Sequence, residues 1–158
     1  MNDATFLKIG DIKGESTDAK HKDEIDVLSW SWGMSQTAAG GGTGGGAGKV
    51  NVQDISITKF SDAATAPLIM ACCSGKHYKE AMLTVRKALK TPLEYLKISL
   101  KDVRITSQTT GSEGGNRPTE NITLNFAEFK LDYTSQKADG SAGTTYSAGW
   151  NIAKNSKV

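Results

Sequence analysis

The sequence predicts a mostly β protein: a single barrel-like domain of two antiparallel sheets with one short flanking α-helix. Two observations carry this. Apolar residues alternate with a period of two along most of the chain, the pattern of half-buried strands. Only one segment shows a convincing helical pattern, and helices and strands never alternate as a doubly wound fold would require. The 158 residues suffice for one core and hardly for two, so residues 1–158 are read as one domain.

Taken in order, Thr5–Ile9 opens the chain as a strand, with Phe6 and Ile9 as core candidates. Gly10 and Gly14 flank a short apolar piece at Ile12, and the polar stretch Glu15–Glu24 reads as an exposed loop. In Ile25–Met34, residues Leu28, Trp30, Trp32 and Met34 share one parity, with Ser29, Ser31 and Gly33 on the other. So aromatic a face has to be buried, within the domain or across an interface. Residues 37–48 are glycine-rich and bury too little surface to order alone, so they are expected to be a mobile loop in a long hairpin. Val50–Phe60 resumes the strand pattern and switches parity between Val52 and Ile55, as at a bulge. The helix is expected from about Thr65 to Ser74: Pro67 suits its first turn, Leu68, Ala71 and Cys72 form its stripe, and Gly75 ends it. Strands then follow at Tyr78–Lys87, Leu93–Leu100 and Val103–Thr109. After the turn Gly111–Pro118 comes a long strand, Glu120–Tyr133, in which Ile122, Leu124 and Phe126 give way to Phe129, Leu131 and Tyr133 on the opposite parity. Asp139-Gly140 marks a turn before a last strand carrying Tyr146, Ala148, Trp150 and Ile152.

Composition excludes several classes of function. Nineteen Lys and Arg against seventeen Asp and Glu leave a formal charge of +2, without the basic excess of a nucleic-acid or anionic-membrane surface. No apolar run approaches the roughly 20 residues of a membrane span. The N-terminus lacks a basic region followed by an apolar one, so no signal peptide is expected and synthesis is cytoplasmic. Cys72 and Cys73 are adjacent and cannot close a stabilising loop. With only His21 and His77 to join them, a metal site lacks ligands, and no metal or other cofactor is expected.

The remaining motifs fail on mechanism. Gly40, Gly42 and Gly45 satisfy G-x-G-x-x-G, a match that so glycine-rich a stretch makes nearly automatic, and a strand follows where a phosphate site needs a helix N-terminus. A Walker A ending at Gly48-Lys49 would need glycine at Thr43 and Ser or Thr at Val50. Asn121-Ile122-Thr123 is a glycosylation sequon, but without a signal peptide it does not meet the machinery. Asp23, Glu24 and Asp26 sit in a charge-mixed segment, the mark of a solvated edge. No Gly-x-Ser-x-Gly elbow is present. No catalytic residue is therefore assigned, and no enzyme is expected. A small-ligand or carbohydrate-binding barrel stacking its ligand on Trp30, Trp32 and Trp150 is one alternative, and a small hydrolase another. Strands with two plausible buried faces are equally compatible with an assembly in which identical subunits cover the second face and close as a ring, and the residues alone put this reading close to the binding barrel.

Several blocks together resemble the hemolysin-coregulated protein (Hcp) family of type VI secretion. They are Phe6–Ser16, Ile25–Gln36, the glycine loop before Gly48-Lys49-Val50, Pro67–Tyr78, Thr119–Phe126, Gln136–Gly140 and Gly149–Asn151, which span essentially the whole chain in order. The resemblance implies a two-sheet barrel-like fold with a flanking helix and a hexameric ring with a wide lumen. It implies rings stacking into the inner tube of a contractile machine, driven out by a sheath beneath a spike (valine-glycine-repeat) protein. It further implies small effector proteins held in the lumen, export without a signal peptide, neither nucleic acid nor membrane insertion, and no catalytic site. A subunit ending near Val158 is expected to be free-standing and not a toxin-bearing fusion. The turn residues Ser112 and Glu113, with neighbouring polar strand residues, are the candidate effector contact. Gly40, Gly41, Gly42, Thr43, Gly44, Gly45 and Gly46 are the candidate ring-stacking loop.

Overall fold

In a computed structural model that describes residues 3–37 and 48–158, two long strands organise the molecule. They are β8 (Leu93–Gly111) and β9 (Thr119–Gln136), which pair antiparallel along nearly their whole length. On one side of β8 lie β7 (His77–Lys87), then β1 (Ala4–Ile9), then β2 (Ile25–Asp26). The far side of β9 is shared. Its N-terminal half pairs with β6 (Ile55–Phe60), which pairs with β3 (Ser29–Ser31). Its C-terminal half pairs with β10 (Ala142–Asn151), which ends at β11 (Ser156–Lys157).

These nine strands form one branched sheet, and β4 (Met34–Ser35) with β5 (Asn51–Val52) forms a separate ribbon. The mostly β architecture with one helix is as expected, whereas two sheets closing into a barrel are not what forms. The sheet's ends approach each other through residues 25–31: Val27 N–H donates to Thr5 O at 3.0 Å on one side and Leu28 N–H to Thr58 O at 2.8 Å on the other. The ladder is thus carried across by one short segment and does not close as paired strands.

Helix α1 (Thr65–Ser74) has the expected bounds. Leu68 and Ala71 are its buried residues, and Gly75 ends it in the left-handed conformation at φ +66°, open to a residue without a Cβ. Pro67 sits in the first turn, where its missing N–H costs no helical hydrogen bond. The helix packs on β8, over a core that includes Leu7, Ile9, Ile25, Ile57, Leu83, Ile98, Leu100, Ile122 and Leu124.

Three differences from expectation have physical causes. The two strands expected at 93–100 and 103–109 are one, because Asp102 adopts φ +55° and re-aims the chain without breaking its pairing. The buried positions change parity along a line through three neighbouring strands. Tyr78 gives way to Ala81, Leu100 to Val103 and Phe126 to Phe129, in register across β7, β8 and β9.

The segment 15–24 is the expected loop, exposed at six of its ten positions, but it is anchored to the domain. Ser16 and His21 are buried, and the backbone is tied down by Gly14 N–H to Asp23 O and Ser16 N–H to Glu24 O. His21 stacks on Phe6 at 4.4 Å, while Arg86 grips Asp18 through both carboxylate oxygens. Finally, the Leu28–Met34 face is only partly covered: Trp30 and Trp32 pack against the core, but Leu28 is 51% and Met34 47% exposed.

Candidate functional site

Opposite the core side of β3, β6, β9 and β8 lies a face built from small neutral side chains. Strand register creates it. Ser31 stands opposite Ser56, Ser56 opposite Thr123, and Thr123 opposite Ser107. The next row runs Ser29, Thr58, Asn121 and Thr109 in the same way. Alternation makes this unavoidable, since Trp30, Ile57, Ile122 and their neighbours take the other face. Eight cross-strand positions thus carry only Ser, Thr or Asn, without a charge or a large apolar group.

The hydroxyls and amide are knitted together. Thr123 Oγ1 lies 2.6 Å from Ser107 Oγ and 2.7 Å from Thr106 Oγ1. Asn121 Nδ2 donates to Ser56 Oγ at 3.0 Å and Thr58 Oγ1 at 3.3 Å. At one border Asp54 accepts from Thr106 Oγ1 at 2.6 Å and from Asn125 Nδ2 at 3.0 Å, and Asn125 Oδ1 accepts from Arg104 at 3.3 Å. The first charged groups are therefore already occupied. Such a surface offers weak, replaceable hydrogen bonds to whatever touches it, because six of its eight polar side chains already have partners within the face and the exposed Ser29 and Ser31 hydroxyls are open to water.

The opposite border runs through Phe60, Thr119 and Gly111 into the turn that holds Ser112 and Glu113. Arg117 caps this end, its guanidinium 4.4 Å from the centre of the Phe60 ring. Ser112 and Glu113 are both exposed, and Asn116 N–H closes the turn on Glu113 O at 2.9 Å. The structure thus places these two residues at the end of the neutral face. The two hydroxyl-bearing rows were only partly legible in sequence, as small residues on the far parity of the Trp30 strand. The candidate stacking residues Gly40, Gly41, Gly42, Thr43, Gly44, Gly45 and Gly46 lie outside the described residues, and β4 and β5 flank them as the hairpin reading expects.

Other polar clusters hold the fold. Lys59 and Glu120, opposite each other on β6 and β9, pair at 3.0 Å with no exposed side-chain surface, and Asp62 joins at 2.8 Å. Burial pushes the Glu120 carboxyl up, but hydrogen bonds from Lys59, Thr65 and Ser61 outweigh it and leave it below its ordinary value. Glu94 behaves alike: burial raises it, and hydrogen bonds from His21 and Lys97 bring it below. The Arg86 guanidinium holds the Asp18 carboxyl far below the usual range. Among the described residues no group of three or more His, Cys, Asp or Glu side chains is placed to hold a metal ion, and no helix is long and apolar enough to cross a membrane.

Residues 6–133 match the family described as type VI secretion system effector, Hcp. The chain belongs to the Hcp family of type VI secretion. It is 58% identical over 154 residues to the protein hcp1 of Pseudomonas aeruginosa, covering 95% of each chain. Among solved structures, it resembles a type six secretion system protein at TM-score 0.92 and 29% identity, with 99% of this chain and 100% of that one covered. Hcp1 from Salmonella typhimurium matches at TM-score 0.82 and 32% identity over the whole of both chains. Hcp proteins are secreted components of type VI secretion and not a known enzyme family.

Proposed function

We propose that this Hcp protein is the building block of a type VI inner tube. Six copies close a ring, and rings stack beneath a spike protein and inside a contractile sheath. The lumen carries small effector proteins out of the cell, with the ring itself made in the cytoplasm and exported without a signal peptide. The neutral face of β3, β6, β9 and β8 is the observation that supports this reading best. A wall that holds different proteins and then lets them go must lack strong fixed charges and sticky apolar groups. Paired hydroxyls and amides supply that, since cargo contacts exchange with internal ones at little net cost. Ser112 and Glu113 extend the wall at its end. The glycine-rich residues 40–46 are assigned to ring stacking, the role the family resemblance suggests for them. A formal charge of only +2 limits repulsion between stacked rings.

The test introduces charge on the two outer strands of the face. Ser29→Lys with Thr109→Lys is expected to leave ring mass unchanged and to reduce retention of a co-expressed small type VI effector by tenfold or more. Unchanged retention would remove the face from cargo binding. Ser112→Ala and Glu113→Gln are expected to weaken the same effector by a smaller factor.

A further inference from the structure

We infer that segment 15–24 is a proton-dependent strap, held closed over Phe6 by a doubly protonated His21 and released when His21 gives up a proton. Strand parity creates the need for a cover. On β1, Leu7 and Ile9 point into the core, so Phe6 and Lys8 take the opposite face. Lys8 is exposed there, as alternation requires, yet Phe6 is only 4% exposed. The strap covers it. The His21 ring stacks nearly parallel to the Phe6 ring at 4.4 Å. The Arg86 guanidinium lies 5.1 Å from the Phe6 centre and is itself gripped by Asp18 of the strap.

Both ring nitrogens of His21 meet carboxylates. Nδ1 lies 2.9 Å from Glu24 Oε2 in the strap, and Nε2 lies 2.5 Å from Glu94 Oε1 on β8. A neutral imidazole has one N–H and one lone pair, whereas the imidazolium has two N–H groups. An ionised carboxylate only accepts, so two of them satisfy both nitrogens only when His21 is charged. Lys97 Nζ, 3.3 Å from the second oxygen of Glu94, keeps that carboxyl ionised. The other charges around His21 are matched or in solvent. Asp18 and Arg86 pair with each other, Lys20 and Lys22 of the strap are exposed, and Asp26 of β2, opposite Phe6, is exposed as well. With His21 charged, it and Lys97 balance Glu24 and Glu94. Without that proton, one carboxylate faces a lone pair at hydrogen-bond distance in a largely buried site, which is repulsive. The clasp therefore holds while His21 is charged and is lost as pH rises through its titration. Opening it separates the strap from β8 and takes the stacked ring off Phe6.

The test follows the imidazole nitrogens and the strap together. The chain has two histidines, so nitrogen-15 labelling of histidine gives two sets of ring signals, which His21→Gln assigns. The amides of Gly14 and Ser16 report the strap, because they donate to Asp23 O and Glu24 O. Ring spectra and hydrogen-exchange protection factors of the wild-type protein are recorded from about pH 5 to about pH 9, a range that brackets ordinary histidine. Both His21 nitrogens are expected to be protonated while the strap is protected. Proton loss and loss of protection are expected in one step, with protection falling roughly tenfold, the size of a lost charge-assisted hydrogen bond. The Asn116 amide, bonded to Glu113 O in the turn before β9, is expected to keep its protection throughout. Glu94→Gln supplies an amide that both donates and accepts, suits either form of His21 and is expected to abolish the step. A His21 with one protonated nitrogen while the strap is protected overturns the inference. So does protection that ignores the loss of the proton, or a step that survives unchanged in Glu94→Gln. These readouts do not depend on how many chains assemble, so the ring reading stands or falls separately.

Discussion

Replacing Glu120 by leucine tests what the buried ion cluster contributes. Lys59, fully buried on β6, would keep Asp62 at 2.8 Å and lose its contact with Glu120 at 3.0 Å. Removing one member of a buried pair costs about 3–5 kcal/mol, mostly from the charge left behind. Because Asp62 remains, the expected loss lies near the lower end, about 3 kcal/mol. For a chain of this size that corresponds to a fall in Tm of roughly 6–12 °C. Urea denaturation at fixed chain concentration measures it, with mixed Ser61 and Thr65 effects avoided by comparison with Lys59→Met/Glu120→Leu. The double variant removes both buried charges and is expected to recover most of the loss, since apolar replacement of a whole buried pair is often neutral or better. The pH dependence has a definite sign. The Glu120 carboxyl is lowered on folding, so its stabilisation is full above its ordinary value of 4.5 and drains away as pH falls below that. A loss under 1 kcal/mol for Glu120→Leu, or a double variant worse than the single, would refute the argument.

Two further perturbations probe the backbone. Gly14→Ala is expected to cost about 1–3 kcal/mol by overpacking, because a Cβ there would meet Glu24 O at 2.6 Å and Ile25 Cα at 2.8 Å; faster tryptic cleavage after Lys20 and Lys22 should accompany it. At Asp102, with φ +55°, substitution by valine is expected to cost about 1–2 kcal/mol and by glycine close to nothing, since left-handed backbone penalises a branched Cβ. Equal thermal stabilities for the two would contradict the role given to that kink.

What was legible in the sequence is what strand periodicity encodes. The parity switch between Phe126 and Phe129 stood in the sequence of β9, and the structure extends it across β7 and β8. The same switch hid the continuity of β8: Lys101-Asp102 interrupts the apolar alternation, and nothing in a single sequence distinguishes a left-handed kink from the end of a strand. The anchoring of loop 15–24 is hidden in the sequence for a related reason. Its polarity is real, but His21 is matched by Glu24 and Glu94, and Asp18 by Arg86 68 residues away. Polar residues buried in pairs look like solvated ones until the partner is known. Lys59 and Glu120 are an intermediate case. Each occupies a core-parity position, after Ile55 and Ile57 and before Ile122 and Leu124, and only the register of β6 on β9 shows that the two anomalies cancel.

The neutral face follows the same logic with a different outcome. Ser29 and Ser31 were visible as small residues opposite Trp30, but four strands from distant parts of the chain must be in register before Ser31, Ser56, Thr123 and Ser107 become one row. Period two therefore gives each strand's contribution, and topology alone gives the surface. This separation also sets such a face apart from a catalytic motif. Motifs concentrate chemistry within short spacings, whereas the carrier wall proposed above draws on many weak groups spread over several strands. If the face is the proposed carrier wall, replacing one hydroxyl should matter little, while a charge placed anywhere in the rows should weaken retention of every effector.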